Sequence, residues 1–128
     1  MSARIAMTTL LVDDYDRGIA FYRDALGLRL VADTEMGGGK RWVVVSGDDG
    51  GRLLLAKASD EPQQAAVGRQ TGGRVGFFME TDDFARDHAA FVARGVVFHE
   101  APRHEPYGTV AVFEDPFGNL WDLIEPKD

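Results

Sequence analysis

Apolar residues along this chain come in short runs, punctuated by acids and glycines. The first run in each half is Ile5–Val12 ("IAMTTLLV") and Val75–Met79 ("VGFFM"). Both are strand-like in length and side-chain size. Each leads to two acids and an aromatic: Asp13-Asp14-Tyr15, then Asp82-Asp83-Phe84. There the period changes. Ile19, Tyr22 and Leu26 fall at i, i+3 and i+7, and Phe84, His88, Phe91 and Val92 make a second helical stripe. An acid at the start of each stripe can accept hydrogen bonds from free helix amides and suits the positive end of the helix dipole. Gly27 and Gly95 can take the left-handed conformation that ends a helix. Further strands are predicted at Arg29–Ala32, Arg41–Ser46 and Arg52–Ala56, and again at Val96–His99, Thr109–Phe113 and Leu120–Glu125.

The order is βαβββ, twice. The offset is 69 residues at the acid pair (13 to 82) and 68 at the glycine (27 to 95). The first module covers about residues 1–57 and the second about 74–128 of one domain. The polar, glycine-ended stretch between them, about 58–73, reads as a linker with a short helix near Pro62–Val67. A half of roughly 60 residues is marginal for independent burial. One helix covers one face of a sheet, so the other faces are expected to pair around a shared space, within the chain or across a homodimer. The predicted fold class is α+β, with mixed sheets forming a cleft.

Charge and composition narrow the function. The 128 residues carry a net charge of −7, which argues against a nucleic-acid partner. There is no cysteine, so disulfides, thiolate metal sites and cysteine nucleophiles are excluded. The N-terminus lacks a signal-peptide core, and no window reaches the roughly 18 apolar residues of a membrane span. A cytoplasmic protein with no membrane partner is expected.

The duplicated order, together with "VDDYDRGIAFYRDALGL" and the closing "DPFGNLWDLIEP", resembles the vicinal oxygen chelate superfamily. That superfamily includes glyoxalase I, extradiol dioxygenases and the bleomycin- and fosfomycin-resistance proteins. The resemblance spans essentially the whole chain and is specific for fold rather than reaction. It implies two metal ligands per module, on the first and last strands. Carried onto this chain, those positions are Met7 and Leu54, then Gly76 and Asp122. Only Asp122 can ligate a hard or borderline metal, and one carboxylate does not hold a divalent ion. No metal or other cofactor is therefore expected. Asp122 reads as the surviving member of the set, placed mid-strand and facing inward.

Strand alternation adds Arg52, beside Leu54, and Arg74, Phe78 and Glu80, beside Gly76, to the candidate cavity face. Thr9, two residues beyond Met7, joins them. An inward arginine would either pair with Asp122 or hold an anionic ligand. Trp42 is either core or a stacking wall for a planar ligand. "EMGGGKRW" (Glu35–Trp42) is not a phosphate loop, because Lys40-Arg41 leads into a strand; it reads as a hairpin loop able to act as a lid. In "FHEAPRHEPYG", His99-Glu100 and His104-Glu105 read as surface pairs in a strand end and irregular loop, with His104 and Tyr107 near a cavity mouth. His88 reads as a boundary residue of its stripe. No serine-nucleophile or dinucleotide motif occurs.

Three functions follow in order: a small-molecule binder of glyoxalase/bleomycin-resistance type without the usual metal set; a divergent metal-dependent lyase or dioxygenase rebuilt around Asp122; and an interaction module without ligand.

Overall fold

The computed structural model describes residues 2–128. The chain divides into two compact units, Met1–Val67 and Gly68–Asp128.

In the first unit β1 (Thr8–Val12) leads to α1 (Tyr15–Ile19), then β2 (Arg29–Gly37), β3 (Lys40–Ser46), β4 (Arg52–Lys57) and α2 (Glu61–Ala66). The sheet order is β1-β4-β3-β2, with β1 parallel to β4 and the other pairs antiparallel. The side chain of Asp14 caps α1 by accepting from Arg17 N at 2.9 Å. Beyond Ile19 the helix continues as a wider π-turn, Ala20–Ala25, in which Leu26 N–H reaches Phe21 O at 2.9 Å. The change of winding leaves the predicted stripe intact, since Ile19, Tyr22 and Leu26 are all buried. Leu10, Val12, Val43, Val45 and Leu55, on one face of the sheet, are buried with them. Gly27 ends the helix with φ 78°.

The second unit runs β5 (Val75–Glu80), α3 (Phe84–Ala93), β6 (Val97–Phe98), β7 (Arg103–Glu105), β8 (Gly108–Glu114) and β9 (Leu120–Pro126). The order is β5-β9-β8-β6, with β5 parallel to β9 and β7 also on β8. Asp83 caps α3 through Arg86 N, and Glu125 of β9 accepts from Phe84 N at 2.7 Å. The core is aromatic. Trp121 stacks between Phe77 and Phe113, with centroids 4.9 and 5.8 Å away, and Phe91 meets Phe113 edge-on. His88 lies between Phe84 and Phe98, as a boundary residue should.

The closing turn has a definite cause. Asp115 is buried, and its Oδ1 accepts from Phe117 N at 2.9 Å and Asn119 N at 2.8 Å, while Oδ2 accepts from Asn119 Nδ2 at 2.7 Å. One carboxylate thus organises the five-residue bend that brings β9 back along β8.

Four expectations need correction. The first strand begins at Thr8, not Ile5; Ile5 is 92% exposed, and Met7 precedes the strand. Val92 leaves the apolar stripe and is exposed, because Phe84, His88 and Phe91 at i, i+4 and i+7 already cover the sheet. The segment around His104 is not irregular: Arg103–Glu105 pairs with Val110–Gly108 as a short edge strand, and Pro102 and Pro106 flank it rather than interrupt it. His99 pairs with Glu114 at 2.7 Å, not with Glu100, because the β6–β8 register sets Glu114 near it.

Candidate functional site

In each unit one sheet face packs on the helix. The candidate residues belong to the other face.

In the first unit Thr9 and Leu54 are Cα partners, as are Leu54 and Val44. Trp42 follows on the same face of β3 by alternation. Trp42 and Leu54 line a cleft of about 490 Å³ with Tyr15, Gly38, Gly39, Lys40, Arg41, Ala56, Lys57, Ser59 and Gln63. Drug-sized pockets run from about 300 to 1,000 Å³. Trp42 is 38% exposed here, so it is a wall and not core. The walls are held in place. The Arg41 guanidinium bonds Asp33 at 2.8 Å and Asp16 at 3.0 Å and lies over the Tyr15 ring, while Arg41 N–H donates to Tyr15 Oη at 3.2 Å. The hydrogen bond from Arg41 holds the Asp33 carboxyl below its usual range. Gln63 Oε1 accepts from both Ser59 N and Oγ, which ties α2 to the rim. The glycine-rich loop is a hairpin turn: Gly37, Gly38 and Gly39 take φ values of 90°, 65° and 82° at the join of β2 and β3. No side chain with a Cβ fits that backbone comfortably.

In the second unit Phe78 is the Cα partner of Asp122, and Val112 partners Asp122 from the other side. Glu80 lies opposite Ile124. Phe78 is 65% exposed. Asp122 is part-buried, yet its Oδ1 is sealed from solvent with no hydrogen-bond partner among the described residues. Loss of water raises its pKa; the Arg103 charge opposes the shift and the Glu100 charge adds to it. Within the second unit the cation beside Asp122 is Arg103, where alternation along the strand points to Arg74. Among the described residues Arg52 forms no ion pair within its unit, and the Arg74 carbonyl accepts from Thr71 Oγ1 at 2.8 Å in a loop turn. Arg103 is itself clamped by Glu100 at 3.0 Å, by Glu105 at 3.2 Å and by the Tyr107 side chain. Glu100 also accepts from Val112 N at 3.1 Å. Local pattern does not reveal this cluster, because Glu100 and Arg103 read as a strand end and a loop. His104 is exposed, with Nδ1 3.3 Å from Thr109 Oγ1.

The family's metal positions do not fit a metal. Met7 offers a thioether and Leu54 nothing. Gly76 sits at a bulge between Val75 and Phe77, and the side chain of Thr71 occupies the space a Cβ at Gly76 would need. Only Asp122 retains an oxygen donor. No group of three His, Cys, Asp or Glu side chains among the described residues could hold an ion.

The chain matches the family model of the Glyoxalase/Bleomycin resistance protein/Dioxygenase superfamily over residues 4–123. It belongs to that superfamily. An uncharacterized protein of Shewanella frigidimarina (strain NCIMB 400) is 47% identical over 100% of this chain and 97% of its own length. The crystal structure of UcmS2 superposes with a TM-score of 0.83 at 27% identity, over 98% of this chain and 99% of that one. TnmS3, an antibiotic binding protein from Streptomyces sp. CB03234, superposes with a TM-score of 0.79 at 28% identity, over 99% of both chains. The α+β fold, with two mixed sheets of βαβββ-type modules, is thus that of the superfamily. Among the described residues no helix is long and apolar enough to cross a membrane.

Proposed function

We propose that this chain is a small-molecule-binding member of the superfamily that works without the usual metal, as a homodimer, and takes a planar, partly aromatic ligand of antibiotic size. The observation that carries this reading is the fate of the four ligand positions: three lack a usable donor, and Thr71 fills the place of the Gly76 side chain. The likeness to TnmS3 supports the choice of a small-molecule ligand. The Trp42 cleft has suitable size and one aromatic wall, and Lys40 and Lys57 give it cationic edges. A stacked ring on Trp42 is worth roughly 0.5–1.5 kcal/mol beyond its area.

Tryptophan emission tests the reading directly, because Trp42 is accessible while Trp121 is 5% exposed. Titration with a panel of planar aromatic antibiotics is expected to quench emission saturably with at least one member. Trp42→Ala should weaken that binding about tenfold, the upper end of what a stacking contact supplies. The competing reading, a metal-dependent lyase or dioxygenase, keeps one observation in its favour: the orphaned Asp122 oxygen. Metal analysis of untagged protein decides between them. One divalent ion per chain, lost in Asp122→Ala, together with no quenching by any compound, would replace the binding role with the enzymatic one.

A further inference from the structure

The first unit carries three arginines that no carboxylate among the described residues neutralises. Arg29 is the Cα partner of Ser46, and Ser46 of Arg52, so the three form one rung across β2, β3 and β4. Residues on a rung project to one face. Two guanidiniums therefore flank a single serine. Arg4, which precedes β1, joins them on the wall of a cleft of about 390 Å³, closed by Gly47, Asp48, Gly50 and Gly51 of the β3–β4 loop.

Arg17, Arg23, Arg41, Arg86 and Arg103 each lie within 3.2 Å of a carboxylate oxygen. Arg4, Arg29 and Arg52 have no such partner among the described residues. Asp48 lines the same cleft and still pairs with none of them. In a chain of net charge −7, carboxylates are plentiful and the cleft nevertheless holds three cations against one acid. Arg29 and Arg52 stand two strands apart, about 10 Å, and their unneutralised like charges repel. An oxyanion between them removes the repulsion and accepts from both planar forks. The loop adds access: a Cβ at Gly47, Gly50 or Gly51 would meet nothing, so the backbone is open to approach. Ser46 supplies no extra donor, because its hydroxyl donates to Gly47 O at 3.0 Å.

We infer that this cleft binds an oxyanion, the phosphoryl or carboxylate group of a small molecule, gripped by Arg29 and Arg52 and covered by Arg4. The site is separate from the Trp42 cleft. Trp42 and Ser46 are four residues apart on β3, about 13 Å along the strand. It stands whether or not the aromatic cleft binds a drug.

Calorimetric titration with inorganic phosphate and, separately, with citrate tests the inference in a dilute buffer free of both. At least one anion is expected to bind saturably. Binding should fall tenfold or more in R29Q/R52Q and stay unchanged in R23Q, whose guanidinium already holds Asp24. Phosphate alone binding assigns a phosphoryl group, and citrate alone a carboxylate. The bound anion should raise the melting temperature of the wild type but not of R29Q/R52Q. Without anion the double variant should melt no lower than wild type, since repulsion has been removed. If it does not fold, R52Q alone carries the same titration. No saturable binding of either anion, or equal binding by the arginine variants, would overturn the inference.

Discussion

Asp122 shows how one residue keeps a family position and changes its chemistry. Its Oδ1 has lost water without gaining a hydrogen bond, and the Arg103 charge does not fully compensate. The carboxyl therefore holds its proton to higher pH in the native state than in the unfolded chain. The consequence has a definite sign. Below the ordinary carboxylate range both states are protonated and nothing is lost. As pH rises, the unfolded chain ionises first, and native stability falls until the folded group has also ionised. Asp122→Asn cannot ionise and escapes this loss. The melting temperature of the variant minus that of the wild type should thus grow from near zero around pH 3.5 to a plateau by neutral pH. A difference that stays constant, or shrinks with pH, would show that Asp122 is ionised comfortably in the fold. Alternation along β9 puts this acid on the face opposite buried Trp121 and Leu123. It could not supply the partner, because Arg103 comes from an edge strand that two prolines concealed.

Elements are decided by caps and turns as much as by apolar periods. The acid-acid-aromatic signature correctly marks both helix starts, and Asp14 and Asp83 are the capping members. The β8–β9 bend depends more heavily on a single side chain. Asp115 is buried and satisfies two backbone amides and the Asn119 side chain. Removing it strands those donors, and hydrogen bonds to a charged acceptor contribute roughly 1.5–3 kcal/mol. Asp115→Ala is expected to lower the unfolding free energy by at least about 2 kcal/mol in urea denaturation, with Asp115→Asn intermediate. A cost below about 0.5 kcal/mol would mean the turn is held by its flanking strands alone. The π-turn after α1 and the bulge at Gly76 left no comparable mark in the sequence. Both insert one residue into a regular ladder, and a local apolar pattern tolerates that because the buried positions still reach the core.

At the scale of the whole molecule, each helix covers only one face of its sheet. The opposite faces carry Phe78, 65% exposed, and Trp42, 38% exposed. Faces of this kind are stable when covered, and a standard protein interface buries on the order of 1,600 Å². Sedimentation equilibrium at micromolar concentration is expected to give twice the 14.0 kDa chain mass. A monomer across that range would remove the homodimer from the proposed function and leave ligand binding to one chain.

The amino-acid order by itself determined the repeat, both helix starts and ends, eight of the strands in outline, and the loss of metal donors at Met7, Leu54 and Gly76. These are local matters: period, capping chemistry and side-chain identity act within a few residues. Tertiary structure alone decided which charges meet. Arg103 rather than Arg74 sits by Asp122, Glu114 rather than Glu100 holds His99, and Arg29 and Arg52 come together across Ser46. Such meetings depend on strand register, which joins residues far apart in the chain, and a one-residue slip would exchange every one of them.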